Sequence, residues 1–446
     1  MGSGAGSQKK GVIVIVARKS IGIGLMGLGV IGGGVAKVLM GKPDTLAREA
    51  GSKLVLKKVL EKDLAKHGSL GIERRIFATQ LEELVSHPEV DIVVELIGGE
   101  YPAFEYIREA LTRGKHVVTA NKEAMSKHWS ELLTVARDHQ VALRYEASVG
   151  GGIPLIAPLQ EDLVANDISA IYAIVNGTTN YILTRMAKEG LDFSVALKKA
   201  QELGYAEADP ANDIEGVDAA YKLAILTTIA FGTEVKPENV YHEGISRLQA
   251  RDFRYARELG YAIKLLAIAK RFGDSIEARV HPVFIPEDSL LAKVDGVYNA
   301  IHVEGDLVGK VIFYGEGAGP KATSSAVVSD IIKIAQNINR GTTDIPKLPF
   351  ASKRTVKPMA EIETRYYMRM SIADQAGVLA QISKVLGDHA ISISSVIQKE
   401  TDPSTQIAEI VIMTHPAKEQ AVQQALKKTE RLAVVKEITN FVRVEA

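Results

Sequence analysis

The hydrophobic positions change their period twice along this chain. From Ser20 to about Tyr145, short apolar runs alternate with stretches of helical spacing. IGIGLMGLG (21–29) is an apolar run entering glycines, and 32–40 continues it with a helical period. KLVLKKVL (53–60), VDIVVELIGG (90–99) and KHVVTANK (115–122) read as strands, and 81–86 and 101–113 as helices. Near-continuous Val/Ile strands separated by helices indicate a parallel sheet covered on both faces. From 146 to 340 the pattern is richer in glycine and long helices. It predicts helices over 180–189, 194–203, 216–231 and 253–269, and strands over 168–175, 276–285 and 297–313. Residues 341–364 carry Pro346, Pro349 and Pro358 without clean periodicity, as a linker does. Beyond them, strands at 366–372, 391–400, 406–415 and 433–444 and helices at 377–386 and 419–428 give the order β-α-β-β-α-β, with a turn at Asp402 and Pro403.

The length of 446 residues suits about three domains. The expected division is a leader over 1–20, a parallel-sheet α/β domain over 21–145, an α+β domain over 146–340, the linker over 341–364, and a ferredoxin-like βαββαβ unit over 365–446. The fold class is therefore α/β. Lys plus Arg and Asp plus Glu are both 54, so charge balance gives no support to a nucleic-acid partner. The absence of cysteine excludes disulfides, zinc–thiolate sites and cysteine nucleophiles. No run approaches the ~18 apolar residues of a membrane span. Read as a secretion signal, Val12–Ala17 is an apolar core at the bottom of the expected length with no small-residue cleavage site after it, which disfavours that reading. A cytoplasmic location is the expectation.

Five motifs carry candidate chemistry. Gly27-Leu28-Gly29-Val30-Ile31-Gly32 follows a strand and opens a helix. Gly27 permits the tight turn, Gly29 the approach of a pyrophosphate, and Gly32 the packing of helix on strand, and the helix N-terminus faces the anion. A purely structural glycine turn is the competing reading. At the end of the second strand, Glu61 or Asp63 could take the ribose of NAD, and Lys57, Lys58 or Lys62 the 2′-phosphate of NADP; the balance leans to NADP. The second motif, Thr119-Ala120-Asn121-Lys122, places a lysine beyond the carboxyl end of a buried strand. In the third, Glu146 precedes Gly150, Gly151 and Gly152, so one carboxylate and several carbonyls could hold a monovalent cation, or the glycines could form a hinge. The fourth, Asn176-Gly177-Thr178-Thr179-Asn180, reads as a helix N-cap that also presents polar groups to a small ligand. The fifth runs from Gly204 through Glu207 and Asp209 to Asp213, Glu215, Asp218 and Lys222. Asp218 and Lys222 share one face of an apolar helix, where burial lowers a lysine's pKa and a carboxylate raises it; an ordinary i,i+4 ion pair is the alternative.

These blocks, in this order and register, resemble the homoserine dehydrogenase family. GLGVIG, DIVVELIGG, GKHVVTANK, EASVGGGIP, NGTTNYILTRM, ELGYAEADP and EGVDAAYKLAI are similar to that family's blocks, and IEARVHP (276–282) and FYGEGAGP (313–320) add to them. The likeness runs from about Ile21 to Gln336, and IADQAGVLAQIS (372–383) resembles an ACT domain, a regulatory module for small molecules. The resemblance implies a Rossmann-type first domain and NAD(P)-dependent interconversion of L-aspartate 4-semialdehyde and L-homoserine, in the aspartate pathway to threonine, methionine and isoleucine.

It also implies residue roles. Lys222 is the proton donor to the aldehyde oxygen, Asp218 its orienting carboxylate, and Lys122 a lysine near nicotinamide and substrate. Glu207 binds the substrate ammonium, with Asp213, Gly177 and Thr178 in the same pocket. Gly27, Gly29, Val30, Ile31, Gly32, Lys62, Gly98, Lys122 and Gly317 face the cofactor. Glu146, with the carbonyls of Val149, Gly151 and Ile153, matches a sodium site. Asp374 and Gly377 lie in the ACT ligand loop, which here lacks the family's proline, since Gln375-Ala376 precede Gly377. The likeness also implies that 21–145 binds the dinucleotide and that 146–340 binds substrate and dimerises; homo-oligomers and an L-threonine effector are further implications. Two other readings compete: a catalytically silent nucleotide or amino-acid sensor, which the intact set of Lys122, Glu207, Asp218 and Lys222 disfavours, and another ACT-bearing dehydrogenase. The latter generally wants a histidine base, and none of the 10 histidines falls inside the five motifs.

Overall fold

The structure is a computed structural model and describes residues 18–63, 70–346, 354–402 and 406–445. The leader up to residue 17, the middle of the linker and Pro403 of the expected turn lie outside the described residues. The chain divides into two compact units. One comprises residues up to Asn121, Glu131–Tyr145 and Val327–Lys347; the other comprises Lys122–Ser130, Glu146–Ala326 and Leu348 onward.

The first unit is built on six parallel strands: β1 (Ser20–Met26), β2 (Lys53–Leu60), β3 (Phe77–Ala78), β4 (Ile92–Glu95), β5 (His116–Thr119) and β6 (Leu143–Arg144). They lie in the order β3-β2-β1-β4-β5-β6. The order reverses direction at β1, and ligands of open parallel sheets bind at the carboxyl ends beside such a point. Ile21, Ile23 and Leu25 of β1 and Ile92, Val93 and Val94 of β4 are wholly buried, which is why these strands read as continuous apolar runs. The second half of helix Pro320–Asn339 also belongs to this unit, where the Asn339 side chain bonds Ser52 Oγ and the Ala50 carbonyl, both at 2.9 Å.

The second unit carries β7 (Ile168–Ile174), β8 (Tyr241–His242), β9 (Tyr261–Phe272), β10 (Ser275–Pro286), β11 (Tyr298–Gly305), β12 (Gly309–Glu316), β13 (Thr355–Val356), β14 (Glu363–Ala373), β15 (Ile393–Asp402), β16 (Ile407–Thr414), β17 (Ala417–Lys418) and β18 (Val435–Val444). Nine of them form one path, β12-β11-β7-β9-β10-β18-β14-β16-β15. The last four, with helices Val378–Asp388 and Glu419–Thr429, are the expected βαββαβ unit, filled by Met368, Met370, Ile382, Ile410, Ile412 and Val422.

Two expectations are corrected. The helix over 253–269 is instead helix Ala250–Glu258 followed by β9. Gly260, at φ +80°, ends the helical path, and the following side chains pair across the long β9–β10 hairpin. The strand over 297–313 is a hairpin, β11 and β12, that turns at 306–308.

Candidate active site

In the first unit, the glycine motif has the geometry its composition suggests. Gly27 stands at φ +89°, and a Cβ on Gly32 would lie 1.9 Å from the Gly27 carbonyl oxygen. Gly29 faces open space and is the N-cap of helix Val30–Gly41, with no side-chain cap. Val30, at the first helical position, is 74% exposed. A strand, a tight turn and an uncapped helix start therefore leave backbone N–H groups available to an anion.

The acidic residue at the end of β2 closes on this turn. Glu61 accepts the Leu28 N–H at 2.7 Å and the Asp63 N–H at 3.0 Å, while Lys62 is exposed.

Glu95 is a site residue that sequence reasoning missed. It ends β4, is wholly buried, and accepts the Ile97 N–H at 2.7 Å and the Thr119 hydroxyl at 2.6 Å. Burial pushes its pKa up, against the hydrogen bonds from Thr119, Ile97 and Gly98. Asn121 donates to the Gly99 carbonyl at 2.7 Å. Glu95 and Asn121 thus tie the glycines after β4, Gly98 and Gly99 (φ +82° and +72°), to the turn after β5. The available signal was a carboxylate ending an otherwise apolar strand.

In the second unit, Lys122, Lys222, Asp213 and Asp218 converge. Helix Val217–Phe231 carries Asp218 and Lys222 one turn apart. Asp218 Oδ2 accepts from Lys222 Nζ at 2.6 Å, and Asp218 Oδ1 lies 3.0 Å from Lys122 Nζ. Lys222 also donates to the Val175 carbonyl at 2.8 Å. Burial would push the Asp218 carboxyl up, but Lys222, Lys122 and the Asn176 amide together hold it well below the usual carboxylate range. Burial lowers Lys122, and the opposing charge of Asp218 more than restores it, so its pKa is raised.

Asn176 is the hub. Its Nδ2 donates to Asp213 at 2.7 Å and Asp218 at 2.8 Å, and its Oδ1 accepts the Thr179 N–H at 2.9 Å. The sequence marked it as the helix cap, which it is; its hold on two carboxylates was not legible. Gly177 and Thr178 open the same helix, Gly177–Glu189. A Cβ on Gly177 would meet the Val297 carbonyl oxygen at 2.7 Å, and Thr178 Oγ1 bonds the Tyr205 carbonyl at 2.7 Å, which brings 205–208 beside the cluster. The Glu207 side chain is exposed and has no hydrogen bond or ion pair among the described residues.

The Glu146 motif is arranged differently from the sequence reading. Glu146 Oε1 accepts the N–H groups of Leu155 (2.5 Å) and Ile156 (2.8 Å), and Oε2 accepts that of Ala157 (2.8 Å). The glycines serve close packing. A Cβ on Gly151 would lie 2.6 Å from the Gly317 carbonyl, and one on Gly152 would lie 2.9 Å from Ala322. Gly317 in turn lies against the buried amide of Asn299. Among the described residues no group of three or more His, Cys, Asp or Glu side chains stands placed to hold a metal ion.

His116 accepts the Ala142 N–H at 3.0 Å, and His281 is wholly buried, its pKa driven down by burial and the nearby Arg443 and Arg279. Neither histidine is placed as a base. Asp374 and Gly377 precede helix Val378–Asp388, where the Asp374 N–H bonds the Gln406 carbonyl at 2.9 Å. No helix of the described residues is long and apolar enough to cross a membrane.

Comparison with known proteins agrees with this geometry. Residues 27–146 match the family model for the homoserine dehydrogenase NAD-binding domain, 154–332 that for homoserine dehydrogenase, and 366–434 the ACT domain. A homoserine dehydrogenase of Neisseria gonorrhoeae is 43% identical, the alignment covering 96% of this chain and 99% of the relative. The crystal structure of a homoserine dehydrogenase from Thiobacillus denitrificans superposes with a TM-score of 0.90 at 43% identity, covering 96% of this chain and 99% of that one. A hyperthermophilic archaeal homoserine dehydrogenase solved in complex with NADPH gives a TM-score of 0.61 at 29% identity, over 70% of this chain and 97% of that one. Six parallel strands with a dinucleotide turn, the lysine–aspartate cluster and a C-terminal ACT domain thus coincide in one chain, which belongs to the homoserine dehydrogenase family.

Proposed function

We propose that Lys222 is the proton donor in the NAD(P)-dependent interconversion of L-aspartate 4-semialdehyde and L-homoserine. The observation that carries this is the division of its three donors. One goes to Asp218 and one to the Val175 carbonyl, so the third is left for a substrate oxygen. When bound, a nicotinamide would supply the hydride to the aldehyde carbon. As the carbonyl oxygen gains charge, the Lys222 ammonium gives it a proton, and the Lys122 ammonium stabilises the developing alkoxide. In homoserine oxidation the proton returns to Lys222. Asp218 orients both lysines and is kept ionised by them. The free Glu207 carboxylate and Asp213 suit the substrate ammonium group. The turn at Gly27, Gly29, Val30, Ile31 and Gly32 suits the pyrophosphate.

With Glu61 engaged by the glycine turn and Lys57 paired with Glu89 at 2.9 Å, Lys62 and Lys58 are left for a 2′-phosphate, which favours NADP. Glu146 spends its acceptors on three N–H groups, so a sodium ion here would rest chiefly on the carbonyls of Val149, Gly151 and Ile153, and no step depends on it. The open edge at β12, with Tyr314 57% exposed and stacked on Tyr298 at 5.2 Å, supports a homodimer through this sheet. The ACT domain supports regulation by L-threonine.

The test is initial rates with L-homoserine. Lys222→Ala should lower kcat by about 10²–10⁴-fold while nucleotide binding, followed by fluorescence, is kept; unchanged turnover would remove the assigned role. The same assay checks the cofactor and the cation, through a rate advantage with NADP⁺ that falls in Lys62→Glu and indifference to exchanging sodium for potassium, and light scattering should give a dimer mass.

A further inference from the structure

A cavity of about 870 Å³ lies where helix Glu419–Thr429 and β18 meet the loop that follows β8. None of its lining residues belongs to the Asp374–Gly377 loop. Its volume is that of a small-molecule site, about 300–1,000 Å³. Its lining carries Arg247, Lys427 and Arg443 of one sign and Glu215, Glu243, Glu430 and Glu437 of the other. Arg443 is paired with Glu243 and Glu419, whereas Arg247, Lys427, Glu215, Glu430 and Glu437 make no ion pair among the described residues. A simple anion would face the unpaired glutamates and a simple cation the arginine and lysine. A zwitterion satisfies both signs. Leu426, Ile438 and Phe441 contribute apolar surface to the lining, which suits a short aliphatic side chain.

The cavity is also bonded to the active site. The Ile245 N–H donates to the Ile214 carbonyl at 3.0 Å, and His242 Nδ1 lies 3.0 Å from the Glu215 carbonyl. Gly244 is pressed on the same segment, where a Cβ would lie 2.6 Å from the Ile214 oxygen. Ile214 and Glu215 sit between Asp213, which accepts from Asn176, and helix Val217–Phe231, which carries Asp218 and Lys222. One loop thus touches the cavity on one side and the backbone of the catalytic cluster on the other, a contiguous path of the kind that carries coupling between sites.

We propose that this cavity is an effector site for a zwitterionic amino acid of short side chain, separate from the ACT ligand loop, acting through residues 241–249 on the Asp213–Asp218 segment. The proposal rests on the reading of the chain as an amino-acid-regulated dehydrogenase. Its test uses the full chain, with L-threonine and L-alanine as probes, equilibrium dialysis for binding, and initial rates expressed against each variant's own uninhibited rate. Arg247→Glu and Glu437→Lys should each raise the dissociation constant and the half-inhibiting concentration at least tenfold. Asp374→Ala should leave both where they are. Binding weakened only by Asp374→Ala, cavity variants that respond like the parent, or no binding of either probe would each overturn the proposal. Binding that is weakened by the cavity variants in a parent that shows no turnover would support the cavity and sink the catalytic reading instead.

Discussion

Asp218 holds two ammonium groups on its two oxygens, at 2.6 and 3.0 Å, and the sign of each pKa shift fixes when that arrangement is stabilising. Asp218 is held below its ordinary value, so its contribution is present above the unfolded carboxylate pKa of about 3.9 and fades as pH falls towards the folded value. Lys122 is held above its ordinary value, so its contribution is complete below the unfolded lysine pKa of about 10.4 and is lost as pH rises through the folded value. Urea midpoints of the parent and Lys122→Ala should therefore differ by a constant amount between about pH 5 and pH 9 and converge at both extremes. A gap that grows on acidification would contradict the pairing. Asn176 permits a finer separation of roles. Asn176→Asp keeps an oxygen to cap helix Gly177–Glu189 but sets a third carboxylate against Asp213 and Asp218. It should lower kcat/KM by more than tenfold and also lower stability at neutral pH, a loss that eases on acidification as one carboxyl takes up a proton. Asn176→Ala removes the cap without adding charge, and the lost cap should cost about 1 kcal/mol, read from urea unfolding.

At the scale of elements, the segment 294–298 is strapped to the helix that opens the substrate pocket. Asn180 Nδ2 donates to the carbonyls of Val294 (3.2 Å), Gly296 (3.0 Å) and Tyr298 (3.1 Å), and Thr184 Oγ1 accepts the Gly296 N–H at 3.0 Å. Lys264, 4% exposed, brings its ammonium to the Val294 carbonyl from β9. Because Gly177 rests against the Val297 carbonyl, loosening this strap moves the pocket floor. Asn180→Ala should destabilise by about 1–3 kcal/mol, the cost of stranding buried carbonyls, and raise KM for homoserine more than it lowers kcat. An unchanged KM would show that the strap serves the fold alone.

The same elements show what a sequence can reveal. The turn at Gly27–Gly32 was legible because its function requires missing side chains, and missing side chains are visible as glycine. Asp218 and Lys222 were legible because one helical turn separates them. The roles of Val175 and Asn180 were not, and Glu95 showed only as a carboxylate ending an apolar strand, since Lys222, Val294 and Thr119, their respective partners, lie far along the chain and only the fold brings them near. The stretch after Gly260 was misread because AIKLLAIAK has helix-forming residues, and β9 exists through its pairing with β10.

For the molecule as a whole, the ACT unit is joined to the substrate half by a shared sheet and by buried charge. β18 pairs with β10 at Val283–Arg443 and Phe284–Val444. Arg369, 1% exposed, donates to Asp252 at 2.7 Å, Glu409 at 2.8 Å and Gln249 at 2.8 Å. Asp252 also accepts from Tyr367 at 3.1 Å and Asn440 at 2.6 Å while capping helix Ala250–Glu258. Arg443 closes on Glu419 and Glu243 in the same way, at 2.6 and 2.7 Å. Removing one member of such a buried set leaves uncompensated charge, at a cost of about 3–5 kcal/mol. Arg369→Ala strands Asp252 and Glu409 on opposite sides of the junction, so both halves should lose stability together. The single tryptophan, Trp129, belongs to the same compact unit as the substrate half and is buried, so its fluorescence reports that half directly. The urea transition of Trp129 should shift downward in Arg369→Ala although the two residues are far apart in the chain. A Trp129 transition that stays in place, while secondary structure is lost in a separate earlier step, would mean that the ACT unit unfolds alone and that the shared sheet does not transmit its stability.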